Sequence, residues 1–179
     1  MKRLLKNILQ ESAALLVPLA SIMILVLILS IPRTGGYWNF LRQAPFYAGI
    51  YFWQSQRPDA FNIFSAFILG IFADVLGGAP LGINIMSFLI LYIIAVRITA
   101  QFNIRRFSYS WLLFSGATIL TFVFKTLIVS AFYRRFIPLN LIILELALII
   151  AAYPLFARIY IWIERRFIHL EVRYEKIEP

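Results

Sequence analysis

Residues 12–32 read SAALLVPLASIMILVLILSIP, a stretch of 21 residues that contains no charged side chain. About 20 apolar residues of helix cross the hydrocarbon core of a bilayer, so this stretch predicts a transmembrane helix. A basic head, residues 1–11 with Lys2, Arg3 and Lys6, precedes it. A signal peptide begins in the same way, but its apolar part is shorter and is followed by a small-residue cleavage site. We therefore interpret the stretch as a retained first helix.

The composition of the whole chain agrees with a lipid environment. Of its 179 residues, 62% are apolar and 14% are charged, and the mean hydropathy is +0.85. An ordinary soluble domain has about 25% charged residues, and one of this size cannot bury so much apolar surface in a single core. These values exclude a water-soluble enzyme and a disordered chain. We expect one membrane domain that spans residues 1–179.

Further apolar runs follow the first one, separated by turn signals and charges. They predict an all-α, polytopic membrane protein with six transmembrane helices at about 12–32, 39–54, 60–76, 81–97, 109–132 and 139–161, followed by a cytoplasmic tail at 162–179. The second run is short, because its apolar part covers only residues 44–53. It is either a re-entrant helix or a tilted span over 39–54.

The distribution of Lys and Arg predicts the orientation, because cytoplasmic loops are enriched in both. Six spans with the N-terminus inside place twelve of these residues inside and four outside. Five spans with the N-terminus outside give eleven against five, but the basic head then has to cross the membrane. We therefore expect six spans with both termini in the cytoplasm. The positive charges follow helix ends and do not form a nucleic-acid footprint, so no nucleic-acid partner is expected.

Three ionisable residues interrupt the predicted spans: Asp74, Lys125 and Glu145. Charges within the membrane are costly and usually face protein or water. Counted from the predicted helix ends, all three lie in the outer half of the membrane, within about 10 Å of the outer interface. They are candidates for a shared ionic cluster. Three interpretations remain open: an ion-pair staple that fixes helix register, a polar ligand pocket, or side chains that snorkel to the interface.

Small residues recur along one face of the third predicted helix, which indicates close helix packing in lipid. This face consists of Ala66, Gly70, Ala73 and Gly77. Polar residues mark the inward faces of the next two helices: Asn84 and Ser87 on one, Thr118 and Thr121 on the other. The aromatic residues Tyr47, Tyr51 and Trp53 are expected at the membrane interface, where their polar tips reach water.

Catalytic and metal-binding signatures are not found in the sequence. The chain has no Cys and one His, His169 in the tail, whereas zinc sites are built from these residues. No phosphate-binding Gly-Lys-Ser/Thr signature and no nucleophile elbow occurs. We therefore expect no catalytic residue, no metal and no cofactor, and a protein that is not an enzyme.

The segment 51–84 carries a specific pattern. It runs Tyr51-Phe52-Trp53, Arg57-Pro58-Asp59, Gly70, Asp74, Gly77-Gly78-Ala79-Pro80-Leu81-Gly82 and Asn84. This constellation resembles the rod shape-determining protein MreD family. The resemblance marks the turn residues Gly78, Pro80, Leu81 and Gly82 as part of the family motif, and Asp74 as its important polar residue. Lys125 and Glu145 lie outside the motif.

The resemblance implies a bacterial inner-membrane protein of the elongasome that determines cell shape. Such a protein is a non-catalytic scaffold that binds MreC, and indirectly RodA, the elongation penicillin-binding transpeptidase and MreB, and so supports peptidoglycan synthesis during lateral wall growth. The family is also similar in fold to the six-helix substrate-binding subunits of energy-coupling-factor transporters. The alternative is therefore a subunit that binds or transports a small molecule or a lipid precursor. A scaffold needs a filled interior, whereas a binding subunit needs a vacant polar cavity.

Overall fold

The computed structural model of the chain describes residues 2–31, 41–78, 80–102, 107–134 and 138–167. Side chains are placed in these ranges from residue 16 onward, except at residue 167. The sequence-based expectations for Ala79, His169 and most of the tail lie outside the described residues.

All the secondary structure of the described residues is helical. The helices are α1 Lys2–Leu29, α2 Ala44–Gln56, α3 Ile63–Gly77, α4 Ile83–Gln101, α5 Phe107–Tyr133 and α6 Leu139–Phe167. The all-α class and the six helices are thus confirmed for the described part of the chain. Four boundaries differ by four or more residues from expectation. The helix α1 includes the basic head and α2 begins at Ala44 rather than at 39, whereas α4 ends at Gln101 rather than at 97 and α6 continues six residues beyond the predicted end at 161.

Three helices are long and apolar enough to cross a membrane: Ile83–Gln101, Phe107–Tyr133 and Leu139–Arg166. Leu16–Leu29 and Ile63–Gly77 are shorter apolar helices. Large apolar side chains point outward from the longer helices; Leu112, Leu127 and Leu155 are each more than 60% exposed. An apolar outer surface of this kind is stable only against lipid or another protein. The chain therefore has the character of a helical membrane protein.

The turn between α2 and α3 has a local cause in the sequence. A residue that precedes proline avoids the helical region, and Arg57, before Pro58, has φ −140° and ends α2. The Oδ1 of Asn62 accepts a 3.0 Å hydrogen bond from the Ser65 N–H and caps α3. The Arg57-Pro58-Asp59 triplet therefore lies in the turn, and α3 begins at Ile63 rather than at the predicted residue 60.

The short helix α2 is the centre of the bundle. The other five helices pack in a closed ring, in the order α1, α3, α4, α5 and α6, and α6 returns to α1. Every residue of α2 from Ala44 to Gln54 is buried. With 13 residues, α2 is about 20 Å long, shorter than the hydrocarbon core of about 30 Å. Its partners on all sides are helices, so its length need not match the bilayer.

The expected interfacial position of the α2 aromatics is wrong. Tyr47, Tyr51 and Trp53 are each 0% exposed and form part of the core. An aromatic ring with a polar tip is suited to an interface, but it is equally stable inside when the tip finds a partner. The Trp53 Nε1–H does so by donating a 3.2 Å hydrogen bond to the Ser21 Oγ of α1.

Side-chain contacts show that successive helices alternate in direction. Trp53, late in α2, contacts Ser21 of α1, whereas Phe46, early in α2, shares a cavity with Val26, so α1 and α2 are antiparallel. At the start of α2, Gln43 contacts Lys125, which is late in α5, whereas Tyr51, late in α2, contacts Ser110, which is early in α5. The helix α5 is therefore also antiparallel to α2. One end of the bundle, which we call the turn end, therefore carries the α3–α4 turn at 78–82. The opposite end, which carries Arg57, is called the Arg57 end.

Candidate functional site at the turn end

Asp74 holds the α3–α4 turn together. Its side chain is 1% exposed, its Oδ2 accepts a 2.8 Å hydrogen bond from the Gly82 N–H, and its Oδ1 accepts bonds of 3.0 Å and 2.9 Å from the Asn84 N–H and Nδ2–H. The first N–H groups of a helix have no partner within the helix, and a carboxylate there also interacts favourably with the helix dipole. Asp74 therefore caps α4 from the neighbouring helix.

Two glycines give this turn its shape. Gly78 has φ 61° and Gly82 has φ 112°, both in the region that side chains with a Cβ rarely adopt. No atom lies within 4 Å of where a Cβ would be at either position, so backbone conformation and not space requires glycine. Between them, the Pro80 carbonyl accepts the Ile83 N–H at 3.4 Å, and Leu81 is 75% exposed. These motif residues thus have a structural role in the α3–α4 hairpin.

Lys125 makes its closest polar contact with an amide. Its Nζ donates a 2.6 Å hydrogen bond to the Gln43 Oε1 at the start of α2. Asp74 and Glu145 lie within Coulombic range of Lys125, so all three ionisable residues are at the turn end. Among the described residues, however, no direct ion pair joins them, because the Asp74 oxygens are occupied by α4. What stays a prediction is therefore an electrostatic interaction among the three residues at longer range, without direct ion pairs.

A cavity of about 90 Å³ lies beside these groups. The cationic side chain of Arg42 lines it, and an Nη1–H of Arg42 donates a long 3.5 Å hydrogen bond to the Leu76 carbonyl. The Oδ1 of Asn84, which is buried, has no hydrogen-bond partner among the described residues. The walls of the cavity come from α1, α2, α3 and α4, with the lining residues Val26, Arg42, Gln43, Phe46, Ala73, Leu76, Gly77, Asn84 and Phe88.

The small-residue face of α3 packs against α4, and Gly70 is the position where this contact requires glycine. A Cβ added to Gly70 would lie 2.5 Å from the Ile85 Cα, so α3 and α4 approach each other through the backbone. Ala66 is 0% exposed and Ala73 is 8% exposed. Gly77 differs, since a Cβ there would meet only the Arg42 Nη2, at an ordinary 3.7 Å. Ala66 and Gly70 thus lie against protein, whereas Ala73 and Gly77 border the cavity.

The inward polar faces of α4 and α5 are confirmed. Asn84, Ser87, Thr118 and Thr121 are all at most 6% exposed. They are buried inside the bundle, so their polar groups are shielded from lipid. Membrane helices often present such residues to their neighbours.

Sequence reasoning missed a second set of polar contacts, made by tyrosine hydroxyls along α2. The Tyr51 hydroxyl donates a 3.2 Å hydrogen bond to the Ser110 carbonyl, and the Ser110 Oγ lies 3.3 Å from the Tyr153 hydroxyl. The Tyr160 hydroxyl donates to the Pro45 carbonyl at 2.8 Å. These bonds attach α2 to α5 and α6. Tyr153 and Tyr160, spaced seven residues apart on α6, were a sequence signal for a face directed inward.

Gly49 was also missed, although it lies in the middle of the short apolar run. A Cβ at Gly49 would lie 2.5 Å from the Ile22 Cγ1 and 2.9 Å from the Tyr160 hydroxyl. Glycine therefore lets α1 and α6 close on α2 from two sides. At the Arg57 end, Arg57 and Glu164 form a 3.6 Å ion pair whose side chains are partly exposed; such pairs contribute little to stability.

The described residues define a polytopic helical membrane protein with a buried central helix and a polar cluster at one end. Among them, no group of three His, Cys, Asp or Glu side chains is arranged to hold a metal ion. The groups gathered at the turn end instead have the chemistry of hydrogen bonding and charge recognition. Comparison of the chain with family models, with curated proteins and with solved structures gives no match.

Proposed function

We propose that the chain is a non-catalytic scaffold of the bacterial inner membrane that determines cell shape in the manner of MreD. It binds MreC and, through it, RodA, the elongation penicillin-binding transpeptidase and MreB. The observation that carries the proposal is the role of the motif residues. Asp74, Gly78 and Gly82 build a rigid hairpin, and Gly70 lets its two helices touch, as expected of a protein whose product is an assembly.

The proposal includes six spans with both termini in the cytoplasm. The alternating helices of the bundle support it, since an even number of crossings returns the chain to its starting side. The Arg57 end carries Arg57, Arg97, Arg158, Arg165 and Arg166, whereas the turn end has Arg42, Lys125 and Arg134 among the described residues. Positive charge favours the cytoplasmic side, so the Arg57 end faces the cytoplasm.

The filled interior supports a scaffold over a binding or transport subunit. Small-molecule sites have volumes of about 300–1,000 Å³, whereas the cavity at the turn end has about 90 Å³. The space that a substrate would take at the centre of the ring is filled by α2 and its aromatic rings. The similarity to substrate-binding subunits of energy-coupling-factor transporters stays a prediction.

Two experiments on the same cells test the proposal. An affinity-tagged chain, purified from its rod-shaped host in mild detergent, is expected to retain MreC detected by antibody. Depletion of the chain is expected to give rounded cells in which MreC is still made. A rod shape that persists after depletion contradicts the proposal. Purified chain that transports a cell-wall precursor into vesicles without a partner overturns it in favour of the transporter-like alternative.

A further inference from the structure

The position of the turn-end cavity indicates which molecules can reach it. Gly77 is the last residue of α3, and Arg42 lies two residues before α2 begins. The ends of a membrane-spanning bundle lie near the lipid headgroups. The cavity is at the turn end of the bundle, which is nearer to the headgroup phosphates than to the middle of the hydrocarbon core.

The cavity offers hydrogen-bond donors to an anion. The Arg42 guanidinium has five N–H donors, and its one hydrogen bond among the described residues is the long contact with Leu76. The stretch 32–40, next to Arg42 in the chain, contains no Asp or Glu to pair with it. Gln43 gives its Oε1 to Lys125, and its amide nitrogen retains its donors. Arginine is the side chain that best matches the geometry of a phosphate.

The cavity also contains an acceptor that needs a donor. Asn84 is 6% exposed, and its Nδ2 is bound to Asp74, which fixes the orientation of the amide. Among the residues that the structure describes, the Asn84 Oδ1 has no hydrogen-bond partner. A buried acceptor without a hydrogen bond is costly. A ligand that supplies a hydroxyl or ammonium hydrogen would remove this cost.

The nearby carboxylates do not neutralise the positive charge of the cavity. Both oxygens of Asp74 are occupied by donors from Gly82 and Asn84. Glu145 is within Coulombic range of both Lys125 and Arg42. The two positive charges together exceed its single negative charge. A cavity of about 90 Å³ has the volume of about three water molecules, which suits a phosphate group and excludes a whole small-molecule substrate.

We propose that this cavity binds the phosphate of a phospholipid headgroup, with Arg42 and Gln43 as donors to the phosphate and the Asn84 Oδ1 as acceptor from the headgroup hydroxyl or ammonium. The apolar walls formed by Val26, Leu76 and Phe88 border the lipid glycerol. This site is independent of the proposed scaffold function.

Native mass spectrometry of the delipidated chain tests the site with three dioleoyl lipids. Phosphatidylglycerol carries hydroxyl donors and phosphatidylethanolamine carries an ammonium, whereas phosphatidylcholine has a phosphate but no such donor. We expect the first two to bind about fivefold more tightly than phosphatidylcholine, the effect of about one hydrogen bond. Equal binding of all three lipids overturns the role of Asn84. This comparison uses the unmodified chain, so it does not depend on the folding of a variant.

Two variants and one control locate the binding. Arg42→Gln removes the charge and Ala73→Leu fills the cavity without changing any charge. Each is expected to weaken phosphatidylglycerol binding about tenfold or more, because Arg42→Gln removes charge-assisted hydrogen bonds and Ala73→Leu occupies the space of the phosphate. Arg97→Gln, an exposed residue towards the far end of α4, is expected to leave binding unchanged. An equal loss in all three variants, or none in any, overturns the assignment to this cavity.

Soluble competitors distinguish a lipid site from a site for free phosphate. Inorganic phosphate and glycerol 3-phosphate share the anionic group but have no acyl chains. Displacement of the lipid only at a large excess of either competitor supports a headgroup site. Competition at concentrations equal to that of the lipid overturns the lipid assignment in favour of a soluble anion. Absence of binding by every probe shows that the cavity holds water alone and overturns the proposal.

Discussion

At the scale of single residues, Asp74 connects the sequence motif to the architecture. A buried carboxylate is stable only when its lost hydration is replaced by hydrogen bonds. Asp74 receives three, all from the first residues of α4. The energetic role of the side chain is thus to fix where α4 begins relative to α3, and the same bonds orient the Asn84 amide beside the cavity.

We expect Asp74→Asn to lower the free energy of unfolding by about 1–3 kcal/mol. The new amide nitrogen is a donor, and it would face either the Gly82 N–H or the donors of Asn84. Asp59→Asn is the control, because Asp59 is exposed in the α2–α3 turn, and we expect a change within about 0.5 kcal/mol. Unfolding in detergent, followed by circular dichroism, measures both. Equal effects of the two substitutions would show that the Asp74 contacts carry no net energy.

The sequence identified Asp74 as a special residue but not its partners. An acid within an apolar run signals a cost that something must offset, and Lys125 was the visible candidate. Two of the three actual donors are backbone N–H groups, which composition cannot distinguish, and the third is the side-chain amide of Asn84. Lys125, in turn, bonds to Gln43 across 82 positions of sequence. Contacts of this range follow from helix packing, which the sequence does not display.

At the scale of elements, α2 shows why apolar sequence patterns in membrane proteins do not predict which helices are buried. Lipid and protein interior are both apolar, so a hydrophobic run alone does not tell which of them surrounds a helix. The positions of the longer helices could be predicted from their apolar length, because the bilayer thickness sets it. The burial of α2 could not, although its small residues Ala44, Ala48 and Gly49 and its aromatics were consistent with dense packing.

The closeness of α3 and α4 leads to a prediction with a matched control. A leucine at Gly70 must displace the Ile85 backbone, since even a Cβ would lie 2.5 Å from the Ile85 Cα. We expect Gly70→Leu to destabilise the bundle by about 1–3 kcal/mol, the usual cost of overpacking. Gly116 is also helical, but nothing lies within 4 Å of a Cβ there. Gly116→Leu is therefore expected to be neutral or slightly stabilising, as helix propensity favours leucine.

Thermal unfolding of both glycine variants in the same detergent gives the comparison. A large loss at Gly116 together with none at Gly70 would mean that helix contacts differ from those described. Under the proposed function, a glycine variant that folds but no longer retains MreC would place the partner on the α3–α4 face.

At the scale of the whole molecule, the direction of the bundle in the membrane follows from its charges. Among the residues whose side chains are placed, five arginines lie at the Arg57 end, whereas two arginines and Lys125 lie at the turn end. Each helix reverses the direction of the one before, so the side of one loop determines the sides of the others. The exposed apolar side chains of the helices provide the membrane contact, but they do not determine the orientation. The unequal number of basic residues at the two ends determines it.

Cysteine labelling tests this orientation cleanly, because the chain contains no Cys. We choose Asp59, in the turn at the Arg57 end, and Pro138, before α6 at the turn end, since both are exposed. In spheroplasts, a membrane-impermeant thiol reagent is expected to label Pro138→Cys but not Asp59→Cys. Permeabilised membranes are expected to label both, which controls for reactivity. Labelling of Asp59→Cys in intact spheroplasts would mean that the molecule has the opposite orientation, with the turn-end cavity at the cytoplasmic leaflet, because successive helices alternate in direction.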